Sequence, residues 1–129
     1  MTEKDGIKKY GRILRKEIIG DSLLFKNADP VGWRIAEVVV DNQDVITMSY
    51  HDNTPECFFP VEGLSTITLS LDDSFDNCDT FALDEPLLIN KCVWHGIASL
   101  SGGSRIIVVE NESVNMTTKN TCSREDTKT

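Results

Sequence analysis

The chain has only two histidines, His51 and His95, and both fall in strand-like text. Glu56 follows His51 by five positions and Gly63 follows Glu56 by seven. Two imidazoles and a carboxylate support two kinds of chemistry. They can move protons, because imidazole titrates near neutrality and a desolvated carboxylate can orient or relay the proton. They can also ligate a divalent metal such as Mn, Fe, Ni or Zn, leaving positions open for water or substrate. A lone histidine on an apolar strand face is more often a satisfied core residue. The joint spacing of His51, Glu56, Gly63 and His95 is what argues for a site.

A site of this kind that takes an anionic substrate needs a cation beside it, and charge is unevenly spread. The formal net charge is −8 over 129 residues. Residues 1–26 carry seven Lys/Arg against four Asp/Glu, the stretch 117–129 carries three against two, and the section between carries three against fifteen. Those three are Arg34, Lys91 and Arg105. In such acidic text, one that points into a cavity is a candidate anchor for an anionic ligand, with a surface ion pair as the alternative. The acidic balance argues against a nucleic-acid partner, which requires a concentrated basic surface.

Strands have to position these groups. After Asp29-Pro30 the text becomes short runs rich in Val, Ile, Thr and Phe, broken by Asn, Asp, Gly and Pro, the pattern of an all-β sandwich or barrel. The runs are 33–40, 45–51, 56–60, 65–71, 80–83, 87–89, 93–100 and 105–110. In Leu64–Leu71, Ile67, Leu69 and Leu71 share one face, as in a half-buried strand. Arg105–Glu110 is apolar on both faces and reads as a central strand. The expected organisation is a basic N-terminal segment (1–26), a β-barrel (27–116) and a disordered polar tail (117–129). Aspartates 72, 73, 76 and 79 read as a solvated acidic loop, and Trp94, Phe58 and Phe59 as interior or interface filling. No apolar run is long enough to span a membrane. The four cysteines form no CxxC pair, and the opening MTEKDGIKKY lacks a signal-peptide core; a reduced, cytoplasmic protein is expected.

His51, Glu56 and Gly63 match the second histidine, the glutamate and the glycine of the first cupin motif, G-x5-H-x-H-x(3,4)-E-x6-G. Ser49 stands where that motif has its first histidine. His95 matches the histidine of the second motif, with Asn90, Cys92 and Ser99 in place of its proline, glycine and asparagine. The chain thus resembles the cupin superfamily. More narrowly, the stretch His51–Gly63 is similar to the H-x4-[EQ]-x-F-x-P-x-x-G of the ureidoglycolate lyase family. Leu88–His95 is similar to that family's strand ending in a basic residue, one further position and V-W-H. Ile7–Leu14, with Tyr10-Gly11, is similar to its opening segment. Gly96 stands where a second histidine often follows the first.

The resemblance implies a small single-domain RmlC-like jelly-roll barrel, paired as a homodimer and acting in purine catabolism on a small carboxylated metabolite. The reaction would be elimination of urea from ureidoglycolate, with His51 and His95 as acid and base and Glu56 orienting one of them. Lys91 would hold the substrate carboxylate, with Arg105 or Arg34 as second choice, and Ser49 would contact substrate. His51, Glu56 and His95 are also the expected metal ligands if the enzyme uses one. Two alternatives stand beside this: a small-molecule-binding or sensor cupin without turnover, and a metal-dependent isomerase or dioxygenase with another substrate.

Overall fold

The computed structural model describes residues 6–121. Ten strands form two five-stranded sheets in which every pairing is antiparallel. In chain order they are β1 (Gly11–Ile13), β2 (Trp33–Val40), β3 (Thr47–Tyr50), β4 (Glu56–Glu62), β5 (Ser65–Ser70), β6 (Asp79–Ala82), β7 (Leu87–Ile89), β8 (Trp94–Ser99), β9 (Ser104–Asn111) and β10 (Thr117–Asn120). A 3-10 turn at Ile7–Lys9 and a short helix, α1 (Lys16–Ile19), complete the described elements. The first sheet runs β1-β7-β4-β9-β2 and the second β10-β3-β8-β5-β6. Among the described residues no helix is long and apolar enough to cross a membrane.

Strand periodicity decides what lies between the sheets. In β5, Ile67 and Leu69 are fully buried while Thr66 and Thr68 are only partly so, as alternation requires. Leu71, expected on the same face, falls just past the strand and is exposed. β9 lies between β4 and β2, with Ile106 and Val108 in the core and Ile107 and Val109 half-buried on the other face. Ile67, Leu69, Ile106 and Val108 join Phe58, Leu87, Ile89, Val93 and Phe81 in one apolar cluster.

Two boundaries differ from expectation. The N-terminal segment is not outside the barrel: β1 pairs with β7, and Ile7, Tyr10 and Ile13 belong to the apolar cluster. The Tyr10 hydroxyl also donates to Asp79 Oδ2 on β6 (2.5 Å), joining the outermost strands of the two sheets. At the other end, residues 117–120 form β10 along β3, so the polar tail contributes a strand before it leaves the described residues. Neither segment is apolar enough to announce a strand. Both are strands because a neighbouring edge offers them backbone hydrogen bonds.

Candidate active site

The sheets are open on one side, between β2 and the β3/β10 edge, where a cavity of about 580 Å³ enters the barrel. Its walls are largely apolar, from Ala36, Val38, Val40, Ile46, Phe58 and Ile97, and its polar groups cluster together: His51, Glu56, His95, Glu110, Ser49 and Arg34.

Each polar group gets there by strand register. Glu56 opens β4 and lies directly opposite Glu110 of β9, so both carboxylates point inward. On the facing sheet His95 lies opposite Ser49 of β3 and Leu69 of β5. His51 sits just past the end of β3, and its carbonyl accepts the Cys92 amide (2.7 Å) at the entry to β8. Two glycines near the site, Gly63 of the first motif and Gly96 beside His95, are explained by space. Gly63 has a φ of 84°, and a Cβ there would lie 2.7 Å from Ser104 Oγ. At Gly96 a Cβ would lie 2.7 Å from the Thr47 carbonyl oxygen, so no second histidine fits.

His51 Nε2 and His95 Nε2 both approach one oxygen, Oε1 of Glu56, at 3.2 and 2.9 Å. All three side chains are more than nine-tenths buried. His51 Nδ1 lies 2.9 Å from the carbonyl oxygen of Asn115, and His95 Nδ1 lies 3.3 Å from that of Val93. Both nitrogens of His51 therefore face acceptors, which satisfies the doubly protonated ring. Burial alone would lower the His51 pKa, but Glu56, Asn115 and Glu110 outweigh it and the net shift is upward. Burial likewise works against ionising Glu56, yet the two imidazoles hold its pKa far below the ordinary carboxylate range. Glu110 is pushed up, first by burial and then by Glu56 across the register, despite Arg34. Arg34 Nε and Nη2 donate to Glu110 Oε2 at 3.0 and 2.8 Å, whereas Glu110 Oε1 is buried and accepts no hydrogen bond.

His51, Glu56 and His95 also fit a divalent metal. One ligand atom from each lies within 4.8 Å of the others, and two imidazoles with one carboxylate suit Mn, Fe, Ni or Zn. Each Nδ1 faces a backbone carbonyl, the outer contact that usually orients a metal-binding imidazole. A metal bound there would supply Lewis acidity toward a carbonyl or hydroxyl oxygen.

The structure brings His51, Glu56, His95, Ser49 and Arg34 together and leaves out two of the expected residues. Lys91 is exposed in the turn before β8 and does not line the cavity. Alternation from His95 would turn it inward, but Cys92, with φ 68°, breaks the strand between them. Arg105 is an odd position on β9, so it faces outward and pairs with Glu37 and Glu62. Glu110, absent from the sequence-derived set, was within reach: alternation from Ile106 and Val108 carries its side chain to the same face. The Asn115 contact was not, because it is made by a main-chain oxygen.

No protein-family model matches the chain, and no curated protein matches it. Solved structures do. The capsular polysaccharide assembling protein CapF from Staphylococcus aureus aligns at 18% identity with a TM-score of 0.56, over 66% of this chain and 26% of CapF. WlaRB, a TDP-quinovose 3,4-ketoisomerase from Campylobacter jejuni, aligns at 20% identity with a TM-score of 0.52, over 64% of each chain. QdtA, a sugar 3,4-ketoisomerase from Thermoanaerobacterium thermosaccharolyticum in complex with TDP, aligns at 18% identity with a TM-score of 0.52, over 64% of this chain and 61% of QdtA. The chain thus spans about a quarter of CapF and just under two thirds of the two isomerases. What these likenesses define is the fold, an RmlC-like jelly-roll barrel of the cupin type. The likenesses support that part of the expectation and not the narrower ureidoglycolate lyase part.

Proposed function

We propose that the chain is a cupin enzyme that relocates protons on a small carbonyl-bearing substrate, by enolisation and return of the proton to a neighbouring carbon. The observation that carries this reading is the single carboxylate oxygen bridging two buried imidazoles at the inner end of a cavity. Holding these groups out of water is costly, and perturbed, buried, mutually bonded titratable groups in a cleft are characteristic of catalysis. Protonated His51 is the acid toward the carbonyl oxygen and His95 the base at the adjacent carbon. Glu56, held as the carboxylate, orients both rings through their Nε2 atoms. On a substrate with a hydroxyl on that adjacent carbon the intermediate is an enediol. His95 returns the proton to the former carbonyl carbon while the adjacent hydroxyl gives its proton back to His51 and becomes the new carbonyl, so atoms and electrons balance and no redox partner is needed.

The sugar 3,4-ketoisomerases among the structural neighbours favour this reaction class over elimination of urea. The expected carboxylate anchors point the same way, since Lys91 and Arg105 are both outside the cavity. Arg34, the one lysine or arginine in its described lining, is already paired with Glu110. A lining this poor in cations suits an uncharged or singly charged substrate better than a nucleoside diphosphate.

Proton exchange on a panel of keto sugars and hydroxycarbonyl compounds in D2O, followed by proton NMR, tests the reading. Wild type should incorporate deuterium at the carbon next to the carbonyl, and His95→Ala should slow this by at least about a hundredfold. No incorporation with any panel member, together with no urea released from ureidoglycolate, would leave the binding or sensor reading standing. Elemental analysis of untreated protein separates the metal-dependent version from the metal-free one.

A homodimer is proposed on separate grounds. β2 is an edge strand whose outward residues Trp33, Ile35 and Val39 are all more than half exposed. A second copy offers the identical eight-residue edge, which a twofold axis can pair antiparallel. Light scattering should give a dimer mass for wild type and a monomer mass for Trp33→Glu/Val39→Glu; a monomeric wild type would sink the idea.

A further inference from the structure

The catalytic reading leaves one region unused, the segment between β9 and β10, which closes over the ring of His51. Its carbonyl at Asn115 accepts a hydrogen bond from His51 Nδ1 at 2.9 Å. The segment is held in place by side chains rather than by a core. Asn53 Oδ1 accepts the Asn115 amide (2.9 Å), Asn53 Nδ2 donates to the Ser113 carbonyl (2.9 Å), and Asn115 Nδ2 donates to Asp52 Oδ1 (3.0 Å). Beyond it, β10 pairs with β3 alone, and Thr118 Oγ1 meets Ser49 Oγ at 3.3 Å. No residue from 112 to 121 is buried. Met116 is 66% exposed and lines the cavity.

An element with hydrogen bonds but little buried apolar surface belongs to the low-stability end of a fold and opens locally while the rest stays folded. Here the element that opens also fixes a buried imidazole. We propose that residues 113–120 are a latch that arms His51, with Asn53 as the positioning residue that locks it. When the latch is docked, Asn115 fixes the proton on Nδ1 and aims Nε2 at Glu56 and the cavity. When it lifts, the mouth widens beside Met116 and the ring loses the partner that sets its orientation, so ligand entry and arming alternate. This extends the proton-transfer reading and supplies its gate.

The experiment needs no substrate, so failure of the catalytic assignment leaves it interpretable. In wild type, imidazole NMR of ¹⁵N-histidine-labelled protein should show a His51 Nδ1–H protected from solvent exchange. Amide exchange of 117–120 should be faster than that of β9. In Asn53→Ala the protected Nδ1–H signal should be lost and the 117–120 amides should exchange about tenfold faster or more, with β4 and β9 unchanged. Asn53→Asp, which keeps the acceptor for the Asn115 amide, should restore much of the signal. The proposal is overturned if β10 amides are as protected as those of β9 in wild type, or if the His51 signal survives in Asn53→Ala. Loss of β4 and β9 protection in Asn53→Ala would make that variant a folding defect; the decision then falls to Asn53→Asp, whose loss of both protections would also overturn it.

Discussion

The two sheets bring opposite chemistry to the cavity and hold it with different firmness. The first supplies the carboxylates, Glu56 on β4 and Glu110 on β9, with Arg34 on β2. These strands are long, with eight unbroken residue pairs between β2 and β9 and six between β4 and β9 across one irregularity at Pro60/Glu62. The second supplies the imidazoles and Ser49. Its β3 meets β8 through one residue pair, Ser49 with His95, and His51 lies beyond the end of the ladder. The acids are thus set by sheet register, whereas His51 depends on individual hydrogen bonds. The ion contacts between Glu56 and the two histidines cross from one sheet to the other, making the site a clasp as well as a reaction centre.

The largest test of this contrast is Glu56→Gln, which keeps the shape and removes the charge. Proton exchange on a responsive carbonyl compound should fall about 10²- to 10⁴-fold. If activity persists, the carboxylate is not the bridge between the sheets. Next in size, Ile106→Ala empties a fully buried position on the firm sheet and should cost about 2–5 kcal/mol in urea unfolding. Thr118→Ala on the latch strand should stay within about 0.5 kcal/mol, and equal losses at the two positions would erase the distinction.

The pH dependence of stability sharpens the comparison from both sides. The pKa of Glu56 is depressed in the folded state, so its contribution is present above the ordinary value of 4.5 and is lost as pH falls through the depressed one. That of His51 is raised, so its contribution is full below the ordinary 6.5 and is lost as pH rises through the folded value. Thermal melts should show stability declining above pH 6.5, and His51→Gln should flatten that alkaline limb more than the acid one. A wild-type curve that is flat between pH 6.5 and 9 would remove the ion pair from the account.

What the sequence made legible follows from how far a pattern reaches. Runs of β-branched and aromatic residues between turn residues located eight strands, because those residues meet one core. Motif spacing found His51, Glu56 and His95 because β-register fixes those offsets. The resemblance put Lys91 at the substrate, but one left-handed residue at Cys92 resets the direction of the chain before β8. The run pattern was silent about β1 and β10, which are strands by invitation of a neighbouring edge. The assignment of 117–129 to a tail followed composition, and composition carries no information about a backbone carbonyl that meets a histidine 64 residues away in sequence.

One feature of the N-terminal segment bears on how the molecule is made. β1 can pair only when β7 exists, since Gly11 lies opposite Ile89, and Tyr10 finds its hydrogen-bond partner in Asp79. As the chain leaves the ribosome, Gly11 must therefore wait until Ile89 has been synthesised. Contacts so distant in sequence are slow to form. The seam opposite the mouth thus joins Tyr10 to a strand made 69 residues later in the chain.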